Sequence, residues 1–161
     1  MKILFIQTGG TIDKDYPKST KGYAFEIGEP AVRRILEKIN PTFEYEILPL
    51  FKKDSLDLND EDREKLFDVC QKSEIKNIII THGTDTMMAT AKFLSGINDK
   101  SIIITGATKP EKFSDSDAEF NLGGAIGAMN LINPGIYISI KGILYKYDEV
   151  KRDETSGKFY K

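Results

Sequence analysis

The chain has 161 residues, 40% hydrophobic and 30% charged, with a formal net charge of −2. That length suits one domain with a real core, and the slightly acidic balance offers nothing to attract nucleic acid or a membrane surface. No apolar run is long enough to span a bilayer, and the one cysteine, Cys70, permits no intrachain disulfide.

Lys2 to Gln7 reads as a first strand, too short before its polar end to serve as a secretory h-region. With the lone cysteine, that points to a reducing, cytoplasmic compartment. The strand runs into Thr8-Gly9-Gly10-Thr11-Ile12, where paired glycines let the backbone turn and expose its amides. Gly9-Gly10 alone fits a plain tight turn equally well, and the flanking threonines favour a hydroxyl-bearing site. Asp13 to Gly28 is polar and reads as a long loop, with Tyr23 able to close over a pocket or to pack on the surface. Glu29-Pro30 opens a helix whose apolar stripe is Val32, Ile35, Leu36 and Ile39, and Pro41 ends it.

Phe43, Tyr45 and Ile47 alternate as a second strand that runs out at Pro49-Leu50. A polar loop, 52 to 59, leads to a helix capped by Asn59 or Asp60 and buried through Leu66, Phe67, Val69 and Cys70. Taken alone, Asp54, Ser55 and Asp57 read as capping and solvation. Ile78 to Ile80 is a buried strand that stops abruptly at Thr81-His82-Gly83-Thr84-Asp85-Thr86, after which Met87 to Leu94 resumes at helical spacing. Ile102 to Ile104 is a fourth strand, ending in Thr105-Gly106-Ala107-Thr108-Lys109-Pro110. A loop over 111 to 119 precedes a glycine- and alanine-rich helix, Phe120 to Leu131, then come strands 136 to 140 and 143 to 145. The charged tail, Lys146 to Lys161, reads as irregular.

Strands alternate with helices, so the predicted class is a single α/β domain with an open, mostly parallel sheet flanked by helices. Four successive strands end in hydroxyl- or glycine-rich turns that should share one sheet edge, placing one polar site at the carboxyl ends of the strands. Cofactor routes are closed. His82 is the only histidine, no zinc-ligand spacing exists, and no glycine-rich phosphate motif appears. A Ser-His-Asp arrangement could use only His82, which at a strand end more often donates to nearby backbone. The available nucleophiles are therefore hydroxyls, which need a base. Asp85 offers a carboxylate, the tail offers Lys146, Lys151 and Arg152, and the backbone amides at Gly10 and Gly83 offer oxyanion donors. Acyl transfer from an amide or ester suits these parts.

Thr8-Gly9-Gly10-Thr11-Ile12 together with Thr81-His82-Gly83-Thr84-Asp85-Thr86-Met87 resembles the two signature segments of the bacterial-type L-asparaginase/glutaminase family. Further matches follow in order: Asp54-Ser55-x-Asp57, Gly106-Ala107-Thr108-Lys109-Pro110, Phe120-Asn121-Leu122, and Gly135 before a strand. The resemblance implies hydrolysis of a side-chain amide of asparagine, or of glutamine or a related amino-acid amide, with no cofactor or metal. In it Thr11 resembles the nucleophile and Tyr23 the tyrosine that assists it. Ser55, with Asp54, matches the group holding the substrate's α-carboxylate. Thr84 matches the second essential threonine, and Asp85 the carboxylate that grips the α-amino group.

The family usually carries a second, C-terminal domain that completes the site from a neighbouring subunit. This chain resembles a short single-domain form over 1–161, whose open-sided site implies a homo-oligomer, dimer or higher. The family lysine that pairs with the second threonine falls in Glu149-Val150-Lys151-Arg152-Asp153, with Arg152 at its place and Lys151 one residue early. A one-residue shift in an irregular tail would let Lys151 serve. Otherwise a non-catalytic amino-acid-binding module, with the pocket kept and the lysine lost, is the alternative.

Overall fold

A computed structural model describes residues 1–17 and 24–161. Six strands form the central sheet in the order β4-β1-β5-β6-β7-β8: β1 (Lys2–Gly9), β4 (Glu44–Lys53), β5 (Asn77–Thr81), β6 (Ser101–Thr105), β7 (Gly135–Ile140) and β8 (Ile143–Lys146). All neighbours are parallel except β7 and β8, an antiparallel pair joined at Lys141 and Gly142. The isoleucine triplets 78–80 and 102–104 are fully buried because these central strands are covered on both faces.

The period-2 pleat divides the core. Leu4, Ile6, Ile78, Ile80, Ile102 and Ile104 pack against α2 (Asp60–Lys72) and α3 (Met87–Phe93) on one face. Ile3, Phe5, Ile79 and Ile103 meet α1 (Ala31–Ile39) and α4 (Ala118–Met129) on the other. Because α3 and α4 lie on opposite faces while their strands step in the same direction, the β6–α4–β7 crossover has the opposite hand to the other three. It carries the 106–117 loop to the α1 side, where Glu111 N–H donates to Ile12 O (3.1 Å) and Glu111 pairs with Arg34 at 2.6 Å.

Several predicted boundaries move. β4 runs through Pro49 to Lys53, which an edge strand tolerates because a missing N–H can face away from the ladder. Asp13 to Gly28 is not wholly loop: β2 (Lys14–Asp15) and β3 (Glu26–Ile27) pair as a short hairpin at its base. Ile39, assigned to the apolar stripe of α1, is exposed beside the left-handed cap at Asn40. In α2, Leu66 and Cys70 are buried, whereas Phe67 and Val69 are only half-buried; α4 begins at Ala118. The tail is not irregular. β9 (Lys151–Arg152) and β10 (Phe159–Tyr160) form an antiparallel hairpin, anchored by buried Val150 and by Phe159 against the core. No helix among the described residues is long and apolar enough to cross a membrane.

Candidate functional site

The strand order reverses direction at β1, so the crevice beyond the carboxyl ends of β1 and β5 is the topological switch point. Two glycine turns meet there. Gly9 and Gly10 have φ of +113° and +85°, and a Cβ on Gly10 would lie 2.3 Å from the Gly83 nitrogen. Only glycine combines that backbone with that approach. The contact sets the residue after Gly10, Thr11, beside the turn that carries Thr84. Both threonines are half-buried, and among the described residues neither hydroxyl has a hydrogen-bond partner.

Three other threonines near the strand ends are spent on the frame, whereas among the described residues the buried Thr81 hydroxyl has no partner. Thr8 Oγ1 donates to Thr81 O (2.8 Å), Thr105 Oγ1 to Ser139 O (2.7 Å) and Thr86 Oγ1 to Ser55 O (2.7 Å). Gly10 N–H donates to Lys53 O (3.0 Å), so it is not the free oxyanion donor that the sequence suggested.

The third turn, after β4, supplies Asp54 and Ser55. Asp54 caps a short 3-10 turn by accepting Leu56 N–H and pairs with Lys14 at 3.1 Å. Partial burial disfavours its charged form, but the Lys14 ammonium and the backbone N–H groups hold the carboxyl below its ordinary value. Ser55 is buried, its hydroxyl without a partner among the described residues, and so close to Gly83 that a Cβ there would lie 2.5 Å from Oγ. Ser55 of the third turn thus reaches the crevice at Gly83, while the Asp54 carboxylate is engaged by Lys14 and Leu56 N–H.

Asp85 points outward, half exposed, and accepts from Arg152 Nη2 at 2.8 Å. Arg152 lies in register with Phe159, and its guanidinium carbon sits 5.9 Å from that ring. Lys151, its neighbour on the same strand, is exposed and in register with Tyr160. Tyr23 lies outside the described residues.

His82 is fully buried: Nδ1–H donates to Gly83 O and Nε2 accepts from Thr90 Oγ1, both at 2.8 Å. Burial pushes its pKa down to about 4, so it is a neutral strut rather than a base.

Of two further buried polar residues, Asp13 escaped the sequence reading as a component of this region, and Asn121 entered it only within the Phe120-Asn121-Leu122 match. Asp13 accepts Ala31 N–H at 2.7 Å, capping α1 from the far side of the 14–28 segment. Burial pushes its pKa up to about 7. Asn121 donates to Gly106 O and accepts from Lys141 N–H, both at 2.9 Å, tying the turn after β6 to the one after β7. An aspartate immediately after a glycine–threonine turn and ahead of a proline-led helix is the signal that could have exposed Asp13. Among the described residues no group of three His, Cys, Asp or Glu is placed to hold a metal ion. A groove of about 790 Å³ lies between β4 and α2 and includes none of these residues.

The family model described as "Asparaginase, N-terminal" matches residues 2–158. The glutaminase-asparaginase of Acinetobacter glutaminasificans is 25% identical over 155 residues, covering 84% of this chain and 47% of its own length. L-asparaginase 2 of Escherichia coli (strain K12) is 29% identical over 133 residues, covering 77% and 37% respectively. The thermostable L-asparaginase from Thermococcus kodakarensis superposes with a TM-score of 0.79 at 26% identity, over 94% of this chain and 48% of that one. The chain thus spans about half the length, or less, of the proteins it matches. With a family model covering almost every residue and the glycine–threonine turns of both signature segments packed together, the chain belongs to the asparaginase family, over the part that forms its N-terminal domain.

Proposed function

We propose that the chain is an amidohydrolase that converts the side-chain amide of L-asparagine, or of glutamine or a related amino-acid amide, to the acid and ammonia. Thr11 Oγ1 attacks the amide carbon, and its proton ends on the amide nitrogen, which leaves as ammonia when the C–N bond breaks. Water then hydrolyses the threonine ester and restores the hydroxyl. The supporting observation is the Gly10–Gly83 contact, which packs the turns carrying Thr11 and Thr84 against each other with both hydroxyls uncommitted. Ser55, buried with an unspent hydroxyl against Gly83, is a suitable donor to the substrate's α-carboxylate. Asp85 is the carboxylate for its ammonium, shared with Arg152. We further propose that the protein works in the cytoplasm as a homo-oligomer, a partner copy covering the open side of the crevice; light scattering reads that state.

One observation favours a second reading, an amino-acid-binding module without turnover. The cation at Asp85 is the Arg152 guanidinium, which cannot serve as a base, while Lys151 is exposed. Ammonia release from asparagine and glutamine, paired with calorimetry, separates the two. Hydrolysis predicts release that Thr11→Ala abolishes while binding persists. Binding of aspartate or asparagine with no release from either amide supports the module, and neither binding nor release defeats both.

A further inference from the structure

A cavity of about 620 Å³ opens beside Thr84, between β8 and the β9–β10 hairpin. Its walls are apolar, from Ile140, Tyr145 and Phe159. Every charged group lining it is a cation: Lys141, Arg152 and Lys158. Two of the lining cations are paired with carboxylates outside the lining, Arg152 with Asp85 at 2.8 Å and Lys141 with Asp117 at 3.6 Å. Lys158 has no ion-pair partner among the described residues. Arg152 is held in place by Asp85 and Phe159, yet its Nε–H is buried with no acceptor. A buried guanidinium N–H without a partner is costly unless a ligand atom completes it.

We propose that this cavity binds an organic carboxylate with an apolar body, its charge held by the cationic rim of Lys158, Lys141 and Arg152 and its body lying on Tyr145 and Phe159. A zwitterionic amino acid fits it poorly because no carboxylate lines the cavity to receive an ammonium. Aliphatic or aromatic bodies match the wall, and a bare oxyanion would leave that wall empty.

Calorimetric titration of the full chain with 3-phenylpropionate, 3-phenylpropionamide, 3-phenylpropylamine and inorganic phosphate tests this. The carboxylate should bind at least about tenfold more tightly than the amide, the scale of one charge-assisted hydrogen bond, and the amine should not bind. Lys158→Ala should weaken the carboxylate about tenfold and leave the amide unchanged, and Lys158→Glu should favour the amine. Lys158 is exposed on a hairpin, so both variants should keep the fold, which circular dichroism checks. Equal affinity for carboxylate and amide, phosphate binding as tight as the carboxylate, or no binding at all would overturn the proposal. None of these probes is an amino-acid amide, so failure here leaves amide hydrolysis standing.

Discussion

Replacing Asp13 by Asn should change the pH dependence of stability more than any substitution in the crevice. Asp13 is fully buried, Oδ1 accepts Ala31 N–H at 2.7 Å, and among the described residues Oδ2 has no partner, as is also true of Gln7 Oε1. Burial dominates and raises the pKa from 3.8 to about 7, against the opposing pull of Ala31 N–H, Gln7 and Arg34 and with a small push from Glu111. The neutral acid is therefore favoured in the folded state. Its stability contribution is fully present below 3.8 and is lost as pH rises through about 7. Three pH units correspond to about 4 kcal/mol, an upper figure for the loss at pH 8.

His82 acts in the opposite sense. Its folded pKa is depressed to about 4 from 6.5, so its contribution is present above 6.5 and lost as pH falls towards 4. Between those limits the two slopes cancel, and the wild-type protein should show near-constant stability before declining to pH 7. Asn keeps the acceptor for Ala31 N–H and offers an amide donor where Oδ2 stood. The variant should therefore gain stability from pH 4 to 6.5, stay level above that, and exceed wild type by a few kcal/mol at pH 8 (about 4 at most). Urea unfolding midpoints measured at half-unit steps would show it. Parallel profiles for the two proteins would refute the assignment of a buried neutral acid.

Gly10→Ala combines a φ of +85° with a 2.3 Å backbone clash and should cost more than about 3 kcal/mol in thermal unfolding. Gly123→Ala, in α4 where a Cβ would meet nothing within 4 Å, should instead stabilise by about 0.5–1 kcal/mol, and a loss would contradict the open geometry. Asp62→Ala removes both the reciprocal cap with Asn59 and the partner of Lys53 at 2.8 Å. It should lower stability by about 1–2 kcal/mol, and an unchanged denaturation midpoint would show the cap to be idle. On the hydrolytic proposal, Arg152→Lys places an amine where a base would act and should raise ammonia release about 100-fold, whereas Lys151→Ala should leave it unchanged. The reverse pattern would make Lys151 the working residue.

The sheet was legible because isoleucine runs buried on both faces carry a strong local signal, and the site turns because glycine pairs among threonines seldom serve only as punctuation. Three features were not legible, each for a physical reason. Pro49 reads as a terminator, yet on an edge strand its missing N–H need leave no ladder bond unmade. The tail hairpin hides behind its charges, since its anchor is two residues, Val150 and Phe159, set nine apart. The reversed hand of the β6–α4–β7 crossover is a property of which face α4 covers. A helix such as α4, apolar on nearly every side, does not announce that face in its sequence.

The tail hairpin decides which cation meets Asp85. An irregular segment could slide by one residue at little cost, but β9 cannot. Side chains alternate across a strand, so a one-residue slip would turn Arg152 and its register partner Phe159 to the other face together. Phe159 would then leave the core it packs against, and the bond from Tyr145 Oη to Phe159 O at 3.2 Å would break. Bringing Lys151 to Asp85 therefore means unseating the hairpin, which also closes one wall of the cationic cavity. That a guanidinium rather than an amine meets Asp85 is fixed by the fold of the tail. Under the proposed hydrolysis, a proton released by Thr11 would therefore need an acceptor other than the cation beside Asp85.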